Sequence, residues 1–184
     1  AGALTEQLRQ QVLPLSLPEA RFEFEFQPLP QPGAEGLHQV QLLFSANRGM
    51  PLQPLARVAS GGELSRIALA MQVMNASQRT RSILVFDEVD VGISGRTAEA
   101  VGHLLRQLGE RVQVISITHQ AQVAAQGHHH LQVEKFQGEQ ATSVIQPIQG
   151  ESRVAELARM SGGAAISEST LAHARTLLQQ ASTA

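Results

Sequence analysis

Three short stretches carry residue types and spacings fit for chemistry on an anion. Ser60-Gly61-Gly62-Glu63-Leu64-Ser65-Arg66 opens an apolar-periodic run, with Ser60 as N-cap and Glu63 three residues on. This is the S-x-x-E capping box. Two glycines in the first turn carry no Cβ to keep another group from the exposed backbone N–H donors. Those donors and the helix dipole point at one spot, so the heptad reads equally as a plain capping box or as an anion site. Asp87-Glu88 follows the apolar run Ile83-Leu84-Val85-Phe86. Beyond the carboxyl end of a buried strand, Asp87 would hold Mg²⁺, through water, and Glu88 would polarise an attacking water; a solvated acidic turn is the competing reading. His119 ends the next strand, after Ser116-Ile117-Thr118. Its imidazole could hydrogen-bond a phosphate oxygen or the attacking water, although a lone histidine there is more often structural.

Other motifs carry less. His128-His129-His130 invites a metal, but consecutive strand residues point to alternate faces, so a surface turn is the better reading. Gly92-Ile93-Ser94-Gly95-Arg96 lacks the last glycine of a nucleophile elbow and falls on a turn the fold already needs. Ser161-Gly162-Gly163 repeats the Ser-Gly-Gly triplet, with Ala164 where the first copy has glutamate. Lys135 is the only lysine, and no G-x-x-x-x-G-K-[ST] loop precedes it, so the chain carries no Walker A phosphate cradle.

Composition narrows the field. The chain has 184 residues, enough for one buried domain, and a net charge of -2 that gives no global basic field for nucleic acid. It has no cysteine, which excludes disulfides and thiolate metal sites. No apolar run approaches the roughly 18 residues of a membrane span, and no signal-peptide pattern is visible. A start at Ala1-Gly2-Ala3 without Met is what a fragment would show.

The elements that must position these residues follow from periodicity. Residues 2–13 read as a helix with Leu4, Leu8 and Val12 on one face, stopped by Pro14 and Pro18. Arg21 to Phe26 alternates strictly, as does His38 to Phe44, giving an antiparallel strand pair joined by a Pro- and Gly-rich connector over 27–37. The helix from Ser60 should bury Leu64, Ile67, Ala68, Met71 and Met74 and end near Ser77. Residues 83–86 read as a strand covered on both faces, followed by a helix over 96–108 and a strand within 111–118. That is a parallel βαβ unit. A short helix at 121–125, a hairpin turning around Gly138, and helices at 153–160 and 167–180 complete the chain.

Taken together and in order, the heptad, Ile83-Leu84-Val85-Phe86-Asp87-Glu88 and Ile117-Thr118-His119 resemble the signature motif, Walker B motif and switch-histidine loop of an ABC-type ATPase head. The fuller runs Val58–Arg66, Phe86–Ala98 and Ile117–Ala125 resemble the SMC-like ATPases of bacterial DNA double-strand-break repair. The resemblance implies an α/β fold: the C-terminal lobe of such a head, spanning 1–184, with a largely parallel sheet flanked by helices and an antiparallel strand pair near the N-terminus. Residues 1–17 would be the stub of a coiled-coil arm.

It implies that Ser60, Gly61, Gly62 and Glu63 meet the γ-phosphate of ATP held by the opposite subunit. Asp87 would be the Mg²⁺ residue, Glu88 the catalytic base and His119 the γ-phosphate switch. Ser94 falls in the D-loop, where many relatives have aspartate. The implied partners are an N-terminal Walker A lobe of the same protein, the second head of a homodimer, and DNA, in a cytoplasmic, nucleoid-associated protein without a membrane partner. Alone, the chain should not turn ATP over. The alternatives are another ABC or SMC-type lobe, against whose transporter form the Val89-Asp90 after Glu88 argues, or a non-catalytic partner-binding module.

Overall fold

The computed structural model describes residues 2–34, 36–75, 83–87, 89–136, 142–163 and 166–183. Helix α1 (Gly2–Val12) runs into a 3-10 turn (Leu13–Leu15), in which Pro14 supplies the preset backbone of a first helical turn. Leu8 and Val12 are buried, but Leu4, expected on the same face, is exposed, so the buried stripe covers only the C-terminal part of the helix.

Strands β1 (Arg21–Gly33) and β2 (Gly36–Ser45) pair antiparallel from Arg21↔Ser45 to Gly33↔Gly36, with an irregularity between Pro28 and Gly33. The pair was expected. The long connector was not borne out, since residues 27–33 continue the strand and Gly33 pairs with Gly36. Pro28, Pro30 and Pro32 are tolerated because β1 is an edge strand, where a missing N–H breaks no central ladder. The base of the hairpin joins the core through Phe22 and Phe44, whose ring centroids lie 5.3 Å apart. Strand β3 (Gln53–Pro54) adds to β2 and leads into α2 (Leu55–Val58).

Helix α3 (Gly61–Asn75) starts where the capping box places it. Its expected end near Ser77 lies outside the described residues. Its buried positions are Gly62, Arg66, Ile67, Leu69 and Ala70, with Leu64, Met71 and Met74 half-buried and Ala68 exposed. The expected stripe is therefore corrected. The helix packs against both α1 and α4, so its buried arc is turned toward 66, 69 and 70.

Strand β4 (Ile83–Phe86), helix α4 (Gly95–Gly109) and strand β5 (Gln113–Ser116) form the parallel crossover, in register Ile83↔Gln113 to Phe86↔Ser116. Ala98, Val101, Leu105 and Leu108 of α4 face inward as their spacing requires. Phe86 and Val112 are buried, and Leu84 and Val114 pack against the same core. The opposite face is open. Ile83, Val85, Ile115 and Ile117 are 46–64 % exposed, so the expectation of a strand covered on both faces is wrong for this chain. Apolar alternation was absent from the run because both faces are apolar, yet the described residues cover only one.

A second apolar cluster joins α5 (Ala121–Gln126), α6 (Glu151–Gly162) and α7 (Glu168–Thr183) through Ala121, Val154, Leu157, Ala174 and Leu177. Strands β6 (His130–Phe136) and β7 (Thr142–Ile148) form the expected hairpin. Its expected turn at Gly138 lies outside the described residues. Of the three histidines, His128 and His129 are exposed and His130 opens β6 half-buried. Burial, together with Arg153, holds the His130 imidazole below its ordinary value, which keeps it neutral rather than charged. Among the described residues no helix is long and apolar enough to cross a membrane.

Candidate functional site

The capping box forms reciprocally. Glu63 N–H donates to Ser60 Oγ at 3.3 Å, and Ser60 N–H donates to a Glu63 carboxylate oxygen at 2.7 Å. The next backbone bond, Leu64 N–H to Ser60 carbonyl at 2.9 Å, starts the helix ladder. Ser60 is exposed and Gly62 buried. The reason for Gly62 is close packing, since a Cβ there would sit 3.0 Å from the Val91 carbonyl oxygen and 3.2 Å from Arg66 Nη1.

The first two turns of α3 lie against the loop after β4. Ser65 Oγ reaches the Asp87 carbonyl at 3.5 Å, and Arg66 Nη1 donates to the Val91 carbonyl at 3.2 Å. Arg66 is 6 % exposed, no carboxylate among the described residues is bonded to it, and its Nε is buried without a partner among them. Burial pushes this guanidinium below its ordinary value, with the Glu63 charge opposing.

Asp87 stands at the carboxyl end of β4 with its side chain exposed, and no other described side chain or backbone group hydrogen-bonds its carboxylate. Glu88 lies outside the described residues. The loop then turns through Gly92, whose φ of 72 suits glycine, to Ser94, the exposed extended residue before α4. Ser94 makes no side-chain cap.

The third stretch is tied to this loop. Ile117 N–H donates to the Phe86 carbonyl at 2.9 Å, continuing the β4–β5 ladder toward the site. Asp90, 1 % exposed, accepts from Thr118 Oγ1 at 2.5 Å and from the backbone N–H groups of His119 and Gln120 at 3.1 and 3.2 Å. His119 Nδ1 lies 3.4 Å from the same carboxylate oxygen, and its side chain is 65 % exposed. Gln120 Nε2 donates to the Ile93 carbonyl at 3.0 Å and lies 3.3 Å from His119 Nε2.

The structure thus brings the signature-like helix start, the β4 loop and the histidine loop into one cluster. Two of the residues that join them, Asp90 and Arg66, were not singled out as site residues in the sequence. Asp90 had a usable signal: an acid flanked by Val89 and Val91 at a strand end, where a solvated turn would not alternate with valines. Arg66 had none, because a cation on a helix is ordinarily solvated.

Among the described residues no group of three or more His, Asp or Glu side chains could hold a metal ion by itself. One free carboxylate at a strand end fits Mg²⁺ in its commonest setting, where one or two carboxylates share the ion with water and phosphate oxygens.

No protein-family profile matches the chain. Among solved structures it is similar to the Smc head domain with a coiled coil and joint from Pyrococcus yayanosii, with a TM-score of 0.61 and 18% identity, over 87% of this chain and 29% of that one. It is also similar to a structure described under ATP-driven dimerization and DNA stimulated activation of SMC ATPases, with a TM-score of 0.53 and 17% identity, over 89% and 94% of the two chains. At such identities the likeness speaks for the fold. The fold is an α/β lobe similar in architecture to these SMC head domains, with the parallel crossover and the antiparallel strand pair that the motifs implied.

The sequence relatives are narrower. The chain is 49% identical over 184 residues to the DNA repair protein RecN of Vibrio cholerae, covering 97% of this chain and 32% of that protein. Against RecN of Haemophilus influenzae and of Deinococcus radiodurans the identity is 45%, again over 97% of this chain. Over this segment the chain is similar to RecN, and it spans about a third of the length of these curated relatives.

Proposed function

We propose that the chain is the C-terminal half of an ATPase head that completes an ATP site with an N-terminal Walker A lobe and acts, through ATP-dependent pairing of two heads, in DNA double-strand-break repair. The observation that carries this reading is the convergence of three separate loops, at 60–66, 87–94 and 117–120, around one edge of the parallel sheet. In open α/β sheets ligands gather beyond the carboxyl ends of the strands, and here two strand ends and a helix N-terminus meet there. The relatives named DNA repair protein RecN support the repair setting and, with it, a cytoplasmic, nucleoid-associated protein.

The roles follow from the chemistry of each group. Ser60, Gly61 and Gly62 offer a hydroxyl and helix-start N–H donors to the γ-phosphate of ATP held by the second head, with Glu63 holding Ser60 in place. Asp87 would hold Mg²⁺, which neutralises phosphate charge when bound. Glu88 would orient and polarise the attacking water, and His119 would meet the γ-phosphate or that water. Ser94 lies where the loop would face the second head.

The partner lobe has a surface waiting for it. Four exposed branched side chains on one face of β4–β5, Ile83, Val85, Ile115 and Ile117, are what a parallel sheet normally buries under a further layer. The missing lysine belongs with that layer, since Lys135 sits on β6 outside any phosphate loop.

The test uses the full-length protein. Glu88→Gln is expected to keep ATP binding and head pairing while lowering turnover by at least about a hundredfold, read as phosphate release alongside nucleotide binding. Undiminished turnover removes Glu88 as the base. Adding a separate Walker A lobe to this chain should give ATP-dependent association and turnover, whereas indifference to ATP favours a non-catalytic binding module.

A further inference from the structure

The two loops that meet beyond β4 and β5 hold each other at both ends. The buried Asp90 carboxylate takes the backbone N–H groups of His119 and Gln120 at 3.1 and 3.2 Å. In return the Gln120 side chain donates from Nε2 to the Ile93 carbonyl at 3.0 Å. The first hold is fixed, because a carboxylate that deep is tolerable only while its donors stay. The second sits on a segment able to turn. Gly92 and Gly95 flank Ile93 and Ser94 with φ of 72 and 55, and nothing lies within 4 Å of a Cβ at either.

The same amide also meets the histidine. Gln120 Nε2 is at hydrogen-bond distance, 3.3 Å, from His119 Nε2. The Ile93 carbonyl decides which way the amide faces, since only its NH₂ end can donate there. An amide nitrogen accepts nothing, so its second hydrogen goes to the ring and His119 Nε2 is the acceptor. The outer nitrogen of an exposed imidazole is thereby closed off by the next residue. A phosphate oxygen is itself an acceptor, and a nitrogen that is accepting has no N–H to offer it. Nδ1 lies 3.4 Å from Asp90 Oδ2 and so faces the protein as well. As the loops stand, His119 presents no donor outward.

We propose that Gln120 is a latch on His119, opened when the Ile93–Ser94 peptide turns. The amide follows the Ile93 carbonyl and lets go of Nε2, and that nitrogen is then free to carry a proton, exchanged through water, toward a phosphate oxygen. Asp90 keeps the backbone of both residues in place, so only side chains rearrange. The latch rests on the ATPase reading, in which Ser94 faces the second head; the contact between amide and ring does not. A bond made in the separate head and broken in the pair opposes pairing by its net worth, which for one hydrogen bond is about 2- to 10-fold in the equilibrium.

The experiment uses the full-length protein with ¹⁵N-labelled imidazoles at about pH 8, above the ordinary imidazole range, with His119 assigned by the signal lost in His119→Ala. Before ATP is added, His119 Nε2 is expected to carry no proton. Its signal should shift in Gln120→Leu, which removes the amide and keeps the backbone N–H on Asp90. Adding ATP to Glu88→Gln, in which nucleotide is held without turnover, should move Nε2 to the position of a protonated nitrogen. In the same background, ATP-dependent head pairing measured by sedimentation should tighten about 2- to 10-fold with Gln120→Leu. The sign separates a latch from a prop, because losing a merely structural contact weakens pairing. With His119→Ala the latch is already gone, so adding Gln120→Leu should change pairing no further.

A protonated Nε2 before ATP overturns the proposal, as does an Nε2 signal unmoved by Gln120→Leu or by ATP. Pairing that Gln120→Leu weakens or leaves unchanged also overturns it, and so does an equal tightening in the His119→Ala background. A Glu88→Gln protein that binds no ATP defeats the ATPase reading instead, and the spectra without ATP still decide whether Gln120 closes off His119.

Discussion

The triplet Ser-Gly-Gly occurs at 60–62 and again at 161–163, and the two copies do opposite things. The first opens α3, with Ser60 and Glu63 bonded to each other's backbone N–H groups and Gly62 pressed against the Val91 carbonyl. The second closes α6. Ser161 Oγ donates back to the Leu157 carbonyl at 2.9 Å, and Gly163 N–H donates to the Arg159 carbonyl at 2.9 Å with φ 73. One copy therefore presents the positive end of a helix dipole and the other the negative end. Only the first could receive a phosphate. The difference comes from the residue that follows and from what packs against the second glycine.

On that contrast the second glycines of the two triplets, Gly62 and Gly163, fail for different reasons when replaced. Gly62→Val is expected to cost most, about 3 kcal/mol by urea unfolding, because the Val91 carbonyl 3.0 Å away is backbone and cannot swing aside. A gain in helix propensity of at most about 1 kcal/mol does not offset it. The displaced loop carries Asp90, so turnover in the full-length protein should fall as well. Unchanged stability would mean that α3 and the β4 loop are not in contact.

Gly163→Ala comes next. Nothing lies within 4 Å of a Cβ there, so the cost is the backbone conformation alone, φ 73 and ψ -150, at about 1–2 kcal/mol. ATP turnover should stay at the wild-type level, since among the described residues no hydrogen bond joins this helix end to the three loops. A loss of turnover matching that of Gly62→Val would erase the distinction between the two triplets.

Much of this was legible in the chain itself. The capping box announced the α3 start to the residue, and the strict alternation of Phe22, Phe24 and Phe26 announced β1. The motif order pointed to one strand-end cluster, and the fold has it. What was not legible depends on partners. The connector 27–33 carries every turn signal, but an edge strand asks little of its prolines, and it paired. The α3 stripe was misplaced at Ala68 because periodicity reports one buried side, while α3 is packed by α1 and α4 together. The open face of β4–β5 could not be told from a covered one, because Ile83 and Val85 read alike whether the covering layer comes from this chain or another. Asp90 stayed hidden because its donors come from residues 118–120, across a helix from it.

The serines give the smallest and most discriminating contrast. Ser60 Oγ accepts from an otherwise orphaned helix-start N–H, so Ser60→Ala should cost about 1 kcal/mol, the usual worth of a cap; Glu63 keeps its half of the box. Ser161 Oγ donates to a carbonyl already within reach of the α6 ladder, an arrangement that adds little and tends to bend a helix. Alanine is the better helix former there, so Ser161→Ala should change stability by no more than about 0.5 kcal/mol in either direction. Both numbers come from the same unfolding measurement on the same chain, so their difference is safer than either value. Equal losses would mean that Ser60 contributes nothing a mid-helix hydroxyl does not. The helix start would then owe its position to packing against the β4 loop, and Ser60 would be free of structural duty, leaving its hydroxyl wholly for the phosphate.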